Sequence, residues 1–352
     1  MVRSRFPAAS LSCLRRGLTA LLVLVLLAGC GNGEGDALLR SYQRDLAQTL
    51  ELPVPEPESP GNIGAFPERQ DRLFDVPETR EGLLAVYALR ECHITNLVAA
   101  RNNQLGRVAP PSQRWLYELE LWRRLHACQN SEVPDRLAED DRARLDRLTR
   151  TKTEQLPLVS WNSLFDSDEW TGSFSRASSP LQPDDRQPLD GQLSAVNWLR
   201  EATLNQFNPD WPHDSATLEG HLKALRDRPL TAEVLRALLL AEQRLDEANA
   251  LLASRLESDE TCAKLSQPGH QLRGDFASRP VREWLERLEQ LAARWLGAVD
   301  TLLDSHVSPP QAVADYHHRW LSLDNPQAPL PAYRQARDTH QQRWQRLAEQ
   351  CP

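Results

Sequence analysis

The sequence is poor in lysine and methionine, and it has none of the short motifs that mark common catalytic or metal sites. Lysine occurs only at positions 152, 223 and 264, and Met1 is the single methionine. There is no G-x-S-x-G, no glycine-rich phosphate loop, no S-x-x-K, no dinucleotide fingerprint, no C-x-x-C and no H-E-x-x-H. These absences argue against the familiar hydrolases, nucleotide-binding enzymes and zinc proteins. We expect a non-enzymatic protein without cofactor or metal.

The composition that remains is that of a globular protein. The 352 residues are 40% hydrophobic and 26% charged, which suits one large domain or two smaller ones. The net charge is −8, from 41 basic and 49 acidic side chains. Because a negative surface repels the phosphate backbone, we do not expect nucleic acid among the partners.

The first 29 residues are organised like a bacterial secretory signal. Four arginines and no acidic residue accompany an apolar run over residues 18–27, which is too short to span a bilayer permanently. The run ends in Leu27-Ala28-Gly29-Cys30, which resembles the lipobox of bacterial lipoproteins. This resemblance implies cleavage before Cys30, diacylglycerol on its thiol and an acylated new N-terminus, so that several acyl chains attach the protein to a membrane. The alternative is an ordinary signal peptide with an accidental cysteine.

The residue after Cys30 bears on the destination of the protein. In the enteric sorting rule, aspartate at this position retains a lipoprotein in the inner membrane. Gly31 stands there instead, so we expect a lipid-anchored protein of the cell envelope, on the outer membrane and facing the periplasm. Cleavage removes four arginines and no acid, which changes the net charge from −8 to −12. The lipid on Cys30, rather than the body, is therefore expected to hold the membrane.

Four cysteines follow Cys30, an even number that favours two disulfides in an oxidising compartment. Three connectivities are possible. Cys92 and Cys128 lie at similar distances before and after a turn near residue 108, so an antiparallel helix hairpin would bring them level. We predict Cys92–Cys128 and, by elimination, Cys262–Cys351.

Apolar residues recur at intervals of three and four along most of the chain, and no run alternates convincingly as a strand would. This pattern predicts an all-α fold, a bundle of about nine helices. We expect a signal peptide over residues 1–29, a lipidated leader with a helix and a proline-rich stretch over 30–66, and a single α-helical domain over 67–352. The proline-rich stretch is either a tether that lifts the body off the membrane or an ordered arm that lies on it.

Two predicted helices, which begin near Thr231 and Ser278, carry stripes close to a heptad, and we expect them to form a long antiparallel pair. Residues 158–190 differ in composition and predict an irregular, aromatic-rich loop region. Exposed Trp161 and Trp170 could stack on sugars there, although large rings more often pack inside a protein. Three acids lie close by in sequence, namely Asp166, Asp168 and Glu169. The region is thus the alternative site of a glycan- or peptidoglycan-binding protein or of an unrecognised hydrolase.

The connection between the predicted helices over 82–103 and 112–129 is unusually polar. Its structural interpretation is a turn in which Gly106 ends one helix and Ser112 caps the next. Its functional interpretation is a recognition surface for an anionic or carbonyl-bearing partner. The candidate residues of this surface are Arg101, Asn102, Arg107, Tyr117 and Glu118.

The same connection carries a family resemblance. Residues 101–106 read Arg-Asn-x-x-Leu-Gly and residues 111–118 read Pro-Ser-x-x-x-x-Tyr-Glu, between Cys92 and Cys128 and after a lipobox. This arrangement resembles a family of bacterial lipoproteins catalogued as domain of unknown function 3080, over most of the mature chain. The resemblance implies an envelope lipoprotein and supplies no activity and no catalytic residue. We therefore expect a module that binds or supports an unidentified envelope protein or glycan, with a helical scaffold that binds no ligand as a further alternative.

Overall fold

The computed structural model describes residues 33–103, 106, 108–258, 262, 265 and 279–351. Cys30 and Arg107, two of the predicted functional positions, lie outside the described residues, as does the signal sequence. Within those ranges every regular element is helical, which confirms the predicted all-α fold. Nine of the described helices have seven residues or more.

The described α-helices are numbered in the order of the chain. In chain order they are α1 (Gly33–Thr49), α2 (Arg69–Arg72), α3 (Leu83–Ala88), α4 (Thr95–Asn102), α5 (Pro111–Gln129), α6 (Val133–Arg136), α7 (Glu139–Phe165), α8 (Asp168–Gly172), α9 (Asp190–Leu204), α10 (Ser215–Arg226), α11 (Leu230–Leu256), α12 (Arg279–Asp304), α13 (Gln311–Tyr316) and α14 (Pro329–Gln350). A 3-10 turn over Arg90–Cys92 lies between α3 and α4, and a π-helical turn over His317–Leu321 follows α13.

The main core is built around α11, whose apolar residues are buried along its whole length. This helix packs most extensively on α14 and then on α1. Asn249 of α11 contacts His340 of α14, and Cys262 beyond α11 is bonded to Cys351 beyond α14. The two helices therefore run parallel. The predicted packing of α12 on α11 is also present, because Trp295 in the second half of α12 donates to Thr231 at the start of α11 at 3.0 Å, as an antiparallel arrangement requires. Helix α12 divides its apolar stripe between α9 and α11.

A second long antiparallel pair, with more extensive contact, is α5 with α7. Ser163, near the end of α7, donates a hydrogen bond to the carbonyl of Pro111 at the start of α5, at 3.0 Å. At the other end, Gln129 of α5 donates to Asp146 of α7 at 2.9 Å. Near that end of the pair lies a satellite cluster, separate from the main core. Its buried residues are Val86, Leu89, Cys92, Ile94, Leu121, Leu125, Cys128, Val133, Leu145 and Leu148.

Both disulfides that the sequence predicts are bonded in the structure, Cys92–Cys128 and Cys262–Cys351. The first joins the 3-10 turn to α5 inside the satellite cluster, with 5.1 Å between the two Cα atoms. The helix predicted over 82–103 is interrupted at this point. His93 adopts a left-handed backbone conformation with φ 57°, which ends the 3-10 turn before α4 begins.

The proline-rich stretch is an ordered arm that lies on the body. Leu50 and Ile63 at its two ends are buried in the main core. Between them, the carbonyl of Glu58 accepts a hydrogen bond from the guanidinium of Arg244 at 2.9 Å. Helix α1 is buried in the same core, so residues on both sides of position 66 share one packed unit.

The predicted aromatic loop begins later than expected. Helix α7 continues through Pro157 to Phe165, and α8 follows after a short turn. The apolar residues Leu156, Leu164 and Phe165 keep a helical spacing across the proline, and their burial outweighs the one hydrogen bond that proline removes. Within residues 158–190, the irregular segment runs from Ser173 to Leu189.

Candidate functional site

The turn between α4 and α5 is folded tightly around Gly106. Its amide donates to the side chain of Asn103 at 2.8 Å, and its carbonyl accepts from the guanidinium of Arg101 at 2.5 Å. A Cβ atom at this position would overlap the carbonyl oxygens of Ala100 and Arg101. Glycine is therefore required here by the close approach of the backbone to itself. The turn in return holds the side chain of Arg101 in place.

Arg101 reaches from this turn to the helix that follows. Its guanidinium lies 5.9 Å from the centre of the Tyr117 ring, a cation–π contact. Burial, assisted by the charge of Glu118, raises the pKa of the Tyr117 hydroxyl to about 12, so this hydroxyl stays protonated. Asn102 is exposed beside them. The structure thus brings Arg101 and Tyr117 together, as the sequence analysis proposes for one surface.

Glu118 is committed to the interior of this region. Its carboxylate forms an ion pair with Lys152 of α7 at 3.0 Å, and both side chains are largely buried. Gln155, one turn further along α7, donates to the carbonyl of Pro77 at 2.9 Å. These contacts fix the extended segment that leads into α3. Glu118 therefore positions neighbouring elements, and a partner at the surface would not reach its carboxylate.

The sequence analysis missed an exposed apolar surface on α3. Leu83, Leu84 and Tyr87, hereafter the α3 patch, are 81%, 84% and 57% exposed. Helix α3 packs against α4, which carries Arg101. Val108, in the turn before α5, is 77% exposed. The two adjacent leucines were a signal for this patch. The sequence predicted one continuous helix over 82–103, however, and part of the apolar stripe of such a helix would face the core.

Three arginines, one each in the 3-10 turn, α4 and α5, have no ion-pair partner among the described residues. The acids of this region are paired within it, as Glu78–Arg80, Glu81–Arg144, Glu91–Arg136 and Glu118–Lys152. In contrast, Arg90, Arg101 and Arg114 form no ion pair with any residue that the structure describes. Arg90 lies 5.0 Å above the ring of Tyr87. The surface therefore presents apolar side chains together with available guanidinium groups.

Arg101 and Arg114 lie close enough to this segment to influence its titration. The pKa of Glu78 is held below its usual range, first by the hydrogen bond from Arg80 and further by the charges of Arg101 and Arg114. The charges of Arg101 and Arg114 therefore reach the segment that leads into α3.

The alternative site around the predicted loop lacks the exposed aromatic rings that stacking on sugars requires of Trp161 and Trp170. Trp161 and Trp170 are 0% and 2% exposed, so neither ring offers a face to a ligand. Asp166 accepts two hydrogen bonds from Arg69, at 2.7 and 2.8 Å, and Glu169 is paired with Arg226. Asp168 alone of the three acids is exposed.

Metal binding and membrane insertion are two further possibilities for the described part of the chain. No three or more His, Cys, Asp or Glu side chains come together there as a metal site would need. None of the helices found there is long and apolar enough to cross a membrane.

Comparison with known proteins identifies one family. A family model whose description is "Protein of unknown function (DUF3080)" matches residues 39–352. Neither the curated proteins nor the solved structures contain a significant match. The matched range includes the main core, the satellite cluster and the α3 patch.

Proposed function

The chain belongs to the DUF3080 family, whose description assigns no activity, so we propose a function from the residues of the chain itself. The protein is a lipid-anchored component of the cell envelope that binds another envelope component and catalyses no reaction. The observation that carries this proposal is the α3 patch beside available arginines. Two leucines more than four-fifths exposed on one short helix are unusual in a protein without a partner.

The chemistry of the surface indicates what it binds. Leucine and tyrosine side chains gain most from burial against apolar groups, which a protein surface offers more readily than a glycan. Arg90, Arg101 and Arg114 favour acidic groups at the rim of the contact. We therefore propose a protein partner with an apolar centre and acidic margin, and a glycan partner is the less favoured alternative.

Attachment to the membrane through Cys30 is the second part of the proposal. It rests on the lipobox at residues 27–30. The described structure begins at Gly33, and three residues of extended chain span about 10 Å. Lipid on Cys30 would therefore hold the start of α1 close to the membrane surface. Helix α3 packs into the satellite cluster through Val86, not into the core that contains α1, and its Leu83, Leu84 and Tyr87 are exposed.

Photocrosslinking in cells tests the binding surface. A photoreactive phenylalanine analogue in place of Leu84 should crosslink to one envelope protein, whereas the same analogue in place of exposed Gln342 on α14 should not. Arg114→Glu should weaken the Leu84 crosslink, because it replaces an available cation with an anion. Arg346→Glu, at another exposed arginine, is the matched control and should leave the crosslink unchanged. Equal crosslinking from both positions, or none from position 84, would contradict the proposal.

Membrane fractionation tests the anchor. Cys30→Ala should move the protein from the membrane fraction to the soluble periplasmic fraction. Cys13→Ala, in the signal sequence before the apolar run, is the control and should leave the distribution unchanged. Retention of the Cys30→Ala protein through an uncleaved N-terminus would show that the lipobox is not processed as we propose.

A further inference from the structure

A small cavity lies where α5, α7, α9, α10 and the turn after α12 meet. The space available to the centre of a water molecule is about 10 Å³, close to the minimum for one water. Leucines of three helices form most of its wall. Its polar lining comes from Trp115, Ser160, Ser163, Thr203 and His306. The cavity is thus large enough for one small molecule and has several groups that could bind it.

The hydrogen bonds around His306 fix which nitrogen carries its proton. Thr203 donates its hydroxyl hydrogen to the carbonyl of Leu199 at 2.9 Å, so its oxygen can only accept from His306 Nε2, 3.2 Å away. Nε2 is therefore protonated, and Nδ1 presents a lone pair. Burial lowers the pKa of His306 to about 4, which is consistent with a neutral ring. The ring is held in place by edge contacts with Trp161 and Phe165.

Two buried polar atoms that belong to residues lining the cavity have complementary needs. The indole Nε1–H of Trp115 is a donor, and Nδ1 of His306 is an acceptor. Neither has a hydrogen-bond partner in the part of the protein that the structure describes. Leaving them unsatisfied inside a protein is costly, and a single molecule in the cavity that both accepts and donates would satisfy the two atoms together.

We infer that this cavity binds one ordered water molecule, which accepts a hydrogen bond from Trp115 Nε1 and donates one to His306 Nδ1. The hydroxyl of Ser160 can supply a third hydrogen bond, and three is the usual number for an internal water. A water in this place connects α5 to the turn after α12. It therefore joins the hairpin helix that carries Tyr117 to the main core.

Nuclear magnetic resonance on the labelled full-length mature chain tests this inference. A cross-peak between long-lived water and the Trp115 indole proton is expected. Trp170 supplies the matched control, because its indole nitrogen is also buried and unpartnered but does not line the cavity. A water cross-peak at Trp115 and none at Trp170 supports the bound water. No cross-peak at Trp115, or equal cross-peaks at both, overturns it.

A second measurement reads the other side of the cavity. The nitrogen-15 shift of His306 Nδ1 should be that of a hydrogen-bonded acceptor, with the proton on Nε2. Trp115→Phe removes one partner of the water and should shift this resonance, whereas Trp170→Phe should leave it unchanged. A protonated Nδ1, or an Nδ1 shift that Trp115→Phe does not alter in the folded variant, overturns the inference.

Discussion

The buried imidazole of His340 should make the stability of the protein depend on pH. His340 is 0% exposed and lies where α1, α11 and α14 meet. Its Nδ1 contacts Asn249 Oδ1 at 2.9 Å, and its Nε2 contacts the Tyr42 hydroxyl at 2.5 Å. Because the amide nitrogen of Asn249 donates to the carbonyl of Ala336, its oxygen must accept, which places the imidazole proton on Nδ1. Trp344 Nε1 donates to His340 Nε2 at 3.2 Å and to the Tyr42 hydroxyl at 3.0 Å, so Nε2 is an acceptor and the ring is neutral.

The magnitude follows from the difference in proton binding between the two states. Burial, with a smaller contribution from the charge of Arg343, lowers the pKa of His340 to about 3 in the folded protein. In the unfolded chain it returns to about 6.5. As the pH falls below about 6.5, only the unfolded state binds the proton, so the free energy of unfolding decreases by roughly 1.4 kcal/mol per pH unit. Between pH 7.5 and 4.5 the loss should be about 3 kcal/mol.

The assay compares wild type with His340→Gln in urea, by tryptophan fluorescence and circular dichroism, at pH 7.5 and 4.5. Glutamine keeps an acceptor for Tyr42 and does not titrate. His306, whose folded pKa of about 4 acts in the same direction, remains in both proteins. So does Glu242, whose pKa is raised by burial to about 7 and whose effect has the opposite sign. Their contributions therefore cancel in the difference.

Between the two pH values wild type should lose about 3 kcal/mol more of its free energy of unfolding than His340→Gln does. Equal losses in the two proteins would refute the reasoning, because they would mean that His340 can be protonated in the folded state without cost. A larger loss in the variant would show that the network, rather than the imidazole, is sensitive to acid.

Two further predictions concern covalent and ionic contacts. The double variant Cys92→Ala, Cys128→Ala removes a disulfide between residues 36 positions apart and should lower the free energy of unfolding by about 4 kcal/mol. Urea unfolding measures this change, and an unchanged midpoint would show that the disulfide does not stabilise the protein. Arg244→Met leaves the buried Asp36 carboxylate with one cation fewer and should cost about 3–5 kcal/mol. Adding Asp36→Asn to it should recover part of that loss, and a purely additive double variant would contradict the pairing.

Local features of this fold could be predicted from the sequence because short-range chemistry determines them. The helical spacing of apolar residues gives α11 and α12 directly. That Cys92 lies opposite Cys128 follows from counting the residues on either side of one turn. Their pairing survives the break in the first helix, because the 3-10 turn and α4 still return the chain alongside α5.

The choice of neighbours could not be predicted in the same way. The apolar stripes of α12 and α14 both suit α11, and what distinguishes them is a polar contact. Asn249 and His340 satisfy each other only where α11 and α14 run parallel and in register. A stripe of leucines contains no information about such a partner, since apolar contacts have little directional preference. The predicted packing of α12 on α11 is present, but the more extensive packing of α14 on α11 was not predicted for this reason.

The candidate surface was predictable only in part for a related reason. Arg101 and Tyr117 were identified because they flank a recognisable turn. The α3 patch was missed because one helix was expected over 82–103, whereas the chain breaks at the 3-10 turn and at the left-handed residue His93, which no local pattern marks. Trp161 and Trp170 were assigned to a loop on composition, but an aromatic residue among serines and aspartates can still belong to a helix when its ring fills the core.

The burial of Arg244 has a consequence for how the protein would sit at a membrane. Its guanidinium is fully buried and binds Asp36 of α1, Glu247 of α11 and the carbonyl of Glu58 in the arm. Helix α1 can leave the body only if these contacts break, so it is a rigid part of the core and not a flexible leader. If Cys30 carries lipid as we propose, only about 10 Å of chain separates the membrane from this rigid helix. The fold, rather than a long tether, would then determine which way the α3 patch faces and how far from the membrane its partner must bind.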